Sequence, residues 1–215
     1  MSTKFTYVVP LGYRCRPTLR LRDFYGHPTA FPFDWWNTPI EGLTRFLRDW
    51  DVDRLYDPRR LRVRWRPKDY PYIENTEYRF GLVHEFPREF GPMLTGRWRR
   101  ALPEARARTA HLMEKFDKLA HPNRPALFVR NLAPGEEARP DAATALRQAV
   151  LDRLGLEDAT FVLISRTGAQ AQGWIALKID DPSTEPWTGD AALWDAALAT
   201  LGFGLNRGPK ALTGA

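Results

Sequence analysis

The chain contains a single cysteine, Cys15, among 215 residues. That excludes an internal disulfide and a cysteine-rich zinc site, and leaves any sulfur chemistry to one side chain. Serine is nearly as scarce, at positions 2, 165 and 183, and none of these lies in a G-x-S-x-G elbow. There is no G-x-x-x-x-G-K-[ST] phosphate loop and no H-E-x-x-H zinc motif; Gly202 and Gly204 follow a helical stretch, which fits a helix end better than a dinucleotide turn. No apolar run approaches the ~20 residues that span a bilayer, and residues 1–10 lack the apolar core and cleavage site of a secretory signal. No membrane association is expected, and the sequence reads as cytoplasmic. No cofactor and no metal site are expected either.

What is present is aromatic and basic. Aromatics make up 13% of the chain, including eight Trp, enough to form a core and to exclude general disorder. The length fits one domain over residues 1–205, with a polar, glycine-bearing tail at 206–215. The net charge of +6 is uneven: residues 1–130 hold 25 Lys and Arg against 15 Asp and Glu, residues 131–215 hold 7 against 11, and 26 of the 32 cations are Arg. Arg favours forked contact with carboxylates or phosphates, although a genome rich in G and C enriches Arg without any function.

Short apolar runs alternate with helical periodicity. Residues 7–12, 126–130, 160–165 and 174–179 read as strands, as does 80–86. Helices are expected from Cys15 past Leu21, over 41–50, over 95–119 with a break or kink at Pro103, from an Asp141 cap to Leu154, and over 190–201. Residues 27–39, with Pro28, Pro32, Pro39 and four aromatics, read as a packed irregular loop. The expected fold class is α/β, a layered helix–sheet–helix domain with a largely parallel (mixed), Rossmann-like sheet.

Cys15 follows a strand and opens a helix, where the helix N-terminus favours thiolate, and Arg14 and Arg16 should lower its pKa further. A lone Cys is equally well a small buried hydrophobe. His84 is the most constrained histidine and the candidate base. Glu85 should point to the opposite face of the strand, so Asp34, in the FDWW run, is the candidate third carboxylate. Arg130 ends an apolar strand and needs an anion, either Asp34 or a ligand. Arg14, Arg16, Arg130 and Arg166 all fall at strand ends and could together hold a phosphorylated or carboxylated ligand. Residues 59–66 (RRLRVRWR) alternate Arg with apolar groups; nucleic-acid binding is disfavoured there because Asp49, Asp51, Asp53 and Asp57 lie directly upstream.

LGYRC at 11–15, PFDW at 32–35, HEFP at 84–87, LFVR at 127–130 and the W-x-G-D run from Trp187, with a second Trp at Trp194, occur in the order seen in a bacterial family described as papain-like cysteine peptidases, otherwise a domain of unknown function. The chain resembles that family over residues 5 to about 203. The resemblance implies a Cys–His centre carried by Cys15 and His84; the Asp usual after the family's His is Glu85 here, and Pro10 replaces a small residue. The βαβ alternation suggests that the family label describes the chemistry and not the fold. Two functions follow as expectations. One is a cysteine-dependent hydrolase or acyl transferase acting on a peptide, acyl or small anionic substrate; the other is a Rossmann-like binding or transferase domain in which the Arg cluster holds the ligand and Cys15 is structural.

Overall fold

A computed structural model describes residues 3–65, 71–89, 93–94, 97–121, 125–182 and 188–206. In chain order the strands are β1 (Lys4–Phe5), β2 (Tyr7–Pro10), β3 (Leu61–Arg64), β4 (Tyr72–Asn75), β5 (Phe80–Leu82), β6 (Arg88–Glu89), β7 (Met93–Leu94), β8 (Ala126–Asn131), β9 (Thr160–Ser165), β10 (Ile175–Lys178) and β11 (Gly204–Leu205). The helices are α1 (Cys15–Tyr25), α2 (Ile40–Asp49), α3 (Val52–Leu55), α4 (Leu102–Asp117), α5 (Pro140–Leu154) and α6 (Ala191–Ala199). Of the expected tail only Asn206 lies within the described residues.

The principal sheet is parallel, in the order β10-β9-β8-β2. Its register pairs Val9 with Phe128, Phe128 with Phe161 and Val162 with Ile175. The inner strands are apolar at almost every position because helices cover both faces. Alternate side chains divide between two cores. Val9, Phe128, Phe161 and Leu163 meet α2, α4, α5 and the aromatic loop, whereas Val8, Leu127, Val129, Val162 and Ile164 meet Leu21 of α1 and Trp194 and Leu198 of α6. The molecule is thus an α/β fold with a layered, mostly parallel sheet.

The excursion between β2 and β8 carries an antiparallel sheet in the order β3-β4-β5. Asn37 and Gly81 exchange both backbone hydrogen bonds, each 2.9 Å, which fixes the aromatic loop to β5. Within that loop Phe33 and Trp36 are fully buried, as three such side chains in sequence require, and Trp35 is half-buried.

Four local expectations are corrected. The strand over 80–86 ends at Leu82, and His84 lies in the bend beyond it. Pro103 does not kink a long helix; it sits in the first turn of α4, where its missing N–H costs nothing. Asp141 is in the first turn of α5, but the cap position is Arg139, because Pro140 has already taken the first helical place. The strand over 174–179 is trimmed to Ile175–Lys178. Among the described residues, no helix is long and apolar enough to cross a membrane.

Candidate functional site

Leu11 continues the ladder of β2 by donating its N–H to Val129 O at 2.8 Å, and the chain then reverses into α1. Gly12 has φ 74°, a left-handed value glycine adopts at no steric cost. Arg14 has φ 71° and ψ 170°, a region nearly reserved for glycine and worth roughly 1–3 kcal/mol of strain in a residue with a Cβ. The next residue, Cys15, opens α1. No side chain caps this helix and no acid stands in its first turn, so its leading N–H groups keep their donor capacity and positive field.

The Cys15 thiol is half-buried. Burial pushes its pKa up from 9.0, outweighing the backbone N–H groups of Cys15 and Arg16 and the charges of Arg14 and Arg16, which draw it down. The expected depression of the thiol pKa is therefore corrected: the charges act in the expected sense but are smaller than the desolvation.

The four arginines are employed differently from one another. Arg14 is exposed, with its guanidinium 5.1 Å from the Tyr13 ring centre. Arg16 pairs with Asp181 at 3.3 Å, and Asp181 also accepts from Trp194 Nε1 at 2.9 Å, so this pair ties α1 to α6. Arg166 pairs with Asp180 at 2.8 Å on the surface. Arg130 is completely buried. It meets the anion the sequence required, but that anion is Glu136, at 2.8 Å, and not Asp34. The two terminal nitrogens also donate to Leu11 O at 2.7 Å, Thr38 Oγ1 at 3.0 Å and Thr38 O at 2.8 Å, while Nε is buried without a partner. The four lie toward the carboxyl end of the sheet, yet three are already opposed by carboxylates of the same chain.

Asp34 is buried in the aromatic loop. Its Oδ2 accepts from Arg22 and from the Phe31 N–H at 3.0 Å, its backbone carbonyl accepts from Thr18 Oγ1 at 2.8 Å, and Oδ1 is buried without a partner. Burial raises its pKa to about 6, against the lowering effects of the Phe31 N–H and Arg22. This carboxylate thus holds α1 to the loop through Arg22. The same Arg22 lies 5.3 Å from the Trp35 ring centre, and the exposed His84 meets Trp35 edge-on at 5.8 Å. His84 reaches α1 by way of Trp35, beside an Arg two turns, or ~10 Å, along the helix from Cys15.

Glu85 follows His84 in the bend, so the strand alternation that would have set the two on opposite faces does not apply. It accepts from Trp36 Nε1 at 2.8 Å and from Arg108 at 3.1 Å. His84, Glu85, Phe86, Ala101, Glu104 and Arg108 contribute to the lining of an open cavity of ≈ 240 Å³ next to the imidazole. Among the described residues no group of three or more His, Cys, Asp or Glu is placed to hold a metal ion.

Sequence reasoning missed Arg22, Thr38 and Glu136. Arg22 had a weak signal, seven residues after Cys15 on one helix; Thr38 and Glu136 had none, since each is defined by what folds against it. Comparison of the chain with protein-family models, with curated proteins and with solved structures finds no match in any of the three.

Proposed function

We propose that the chain is a cysteine-dependent hydrolase or acyl transferase with Cys15 as nucleophile. The observation that carries this reading is the strained strand-to-helix turn: Arg14, in a backbone conformation suited to glycine, immediately precedes a thiol at the head of an uncapped helix. Strain of this kind persists only where the surrounding structure over-determines it, and it concentrates at functional sites. The same layout of strand, sharp turn, nucleophile and helix serves serine hydrolases.

In the proposed reaction Cys15 Sγ attacks a carbonyl carbon, forming a C–S bond while the carbonyl π pair moves onto oxygen. The thiol proton passes to a base; His84, which rests on Trp35 and is not hydrogen-bonded to Cys15, takes that role only after moving toward the sulfur. N–H groups of the first turn of α1 stabilise the oxyanion. Its collapse expels the leaving group with a proton, and water or an acceptor then cleaves the thioester. Because burial keeps the resting thiol protonated, a base is needed at the moment of attack, unlike in a site with a preformed thiolate. The substrate class is an ester, thioester or peptide carbonyl. The alternative, an arginine cluster holding an anion, has less support because Arg16, Arg130 and Arg166 already face Asp181, Glu136 and Asp180.

The test is hydrolysis of a p-nitrophenyl ester and of a small thioester. Cys15→Ala should abolish catalysed turnover, and His84→Ala should lower it ~100-fold or more at neutral pH, in the range general-base catalysis supplies. Equal turnover by wild type and Cys15→Ala would end the proposal.

A further inference from the structure

We propose that Arg130, clamped by Glu136 and Thr38, is a positioning residue that holds the Cys15 turn in its reactive shape; this rests on reading Cys15 as the nucleophile. The guanidinium is fully buried and grips three separate segments at once. One nitrogen donates to the Leu11 carbonyl, at the start of the turn, and to Thr38 Oγ1; the other donates to the Thr38 carbonyl and to both oxygens of Glu136, at 3.1 and 2.8 Å. Glu136 in turn accepts from the N–H groups of Ala133, just past β8, and Ile40, the first residue of α2, each at 2.9 Å. Arg130 and Glu136 therefore join the end of β8, the start of α2 and the approach to Cys15 into one hydrogen-bonded unit.

Stability alone does not call for this arrangement. Buried ion pairs are often replaceable by packed hydrophobic groups without loss, so a charge kept in the interior suggests a need for direction. Here the direction is toward a backbone carbonyl three residues before the strained Arg14. Thr38 closes the other side: a Cβ built on Gly12 would lie 1.8 Å from Thr38 Oγ1 and 3.1 Å from an Arg130 nitrogen. Gly12 thus has no room to move toward Thr38, while the Asn131 N–H and carbonyl meet the carbonyl of Gly12 and the N–H of Tyr13 at 3.4 and 3.5 Å. The turn is held on two sides, and Cys15 leaves it with its sulfur near the N–H groups of Cys15 and Arg16. The charges facing that sulfur are Arg14 and Arg16, the latter countered by Asp181 from the β10 side; the Arg130 charge is countered by Glu136.

The experiment measures iodoacetamide alkylation of Cys15 against pH, acyl-thioester formation from a p-nitrophenyl ester, and Tm, on the full chain. Arg130→Lys keeps the charge facing Glu136 but loses the fork; Thr38→Val removes one hydroxyl at nearly constant volume; Thr38→Ser restores it. Leu154→Ala, at the end of α5, is a destabilised control. Arg130→Lys and Thr38→Val should release the thiol, moving the alkylation midpoint down toward the ~8.5 of a free cysteine, and should slow thioester formation at least tenfold. Thr38→Ser should stay within twofold of wild type, and Leu154→Ala should lower Tm with the midpoint unmoved. The proposal is overturned if folded Thr38→Val keeps the wild-type midpoint and acylation rate, or if Leu154→Ala shifts them as far. Should Arg130→Lys fail to fold, Thr38→Val decides. If wild type forms no thioester at all, the hydrolase reading fails, while the alkylation midpoints still decide whether the clamp positions Cys15.

Discussion

A carboxyl buried as deeply as Asp34 prefers its proton, and its folded pKa of about 6 lies above the ordinary 3.8. A folded pKa raised in this way gives stability that is present below pH ~4 and is lost as pH rises through about 6; two units correspond to roughly 3 kcal/mol. His27 acts in the opposite sense. Buried against Phe31 and edge-on to Tyr7, it is pushed down from 6.5 to about 4, first by burial and then by the charges of Arg22 and Lys115. Its neutral form supports the fold above pH 6.5, and that support is lost as pH falls through 4. The two slopes oppose each other across the same interval, so wild type should show a shallow profile. Thermal melts between pH 4 and 7 should therefore separate them: Asp34→Asn removes the loss on going up, and His27→Gln removes the loss on going down. If both variants keep the wild-type slope, the assignment of these two groups is wrong. The thiol supplies a third prediction at this scale. Since burial raises the Cys15 pKa, alkylation at pH 7 should be slower than that of a free cysteine, and a rate faster than free cysteine would contradict it.

Among elements, α2 depends on one glycine for its place. A Cβ on Gly42 would lie 1.9 Å from the backbone carbonyl of Tyr78, beyond β4. Ala is the better helix former by roughly 1 kcal/mol, but a clash against backbone cannot be relieved by a rotamer, and overpacking of this kind costs about 1–3 kcal/mol or more. Gly42→Ala should thus lower stability by ~2 kcal/mol in urea unfolding; a stabilised variant would show that α2 does not pack so closely on that turn. The elements also show how much the sequence could reveal. The strands at 7–10, 126–131 and 160–165 were legible because they are buried on both faces and read as continuous apolar runs. The segment at 83–86 misled because V-H-E-F keeps the alternation of a strand, whereas the chain bends there to carry Glu85 to Trp36 and Arg108. Cys15 could be singled out from its strand-to-helix position. The partners of Arg130 could not, because Glu136 lies in a stretch whose local composition reads as loop, and Thr38 becomes relevant only once α2 has folded beside the turn.

For the molecule as a whole, part of the excess positive charge of the first 130 residues is met by carboxylates of the same chain. Arg54 and Arg60 both pair with Glu77, Arg59 with Asp57, Arg64 with Glu74, and Arg108 with Glu104 and Glu85. Within the alternating segment β3 covers Leu61–Arg64, and there Arg64 is paired with Glu74 next to the exposed Trp65. Single-stranded DNA at 0.15 M salt should bind no more tightly than non-specifically, with Kd weaker than ~10 μM and a shallow salt slope; fluorescence anisotropy showing tight, steeply salt-dependent binding would contradict this. Elsewhere in the molecule β8, α2 and the turn after β2 surround one thiol at a helix head. The most direct test of Cys15 as the nucleophile is rapid-quench mass spectrometry of the intact chain mixed with an activated acyl ester. One acyl group should form on Cys15 within a burst and be lost again on hydrolysis, with none on Cys15→Ser on the same timescale; an unmodified Cys15, or acylation confined to lysines, would rule out Cys15 as the nucleophile.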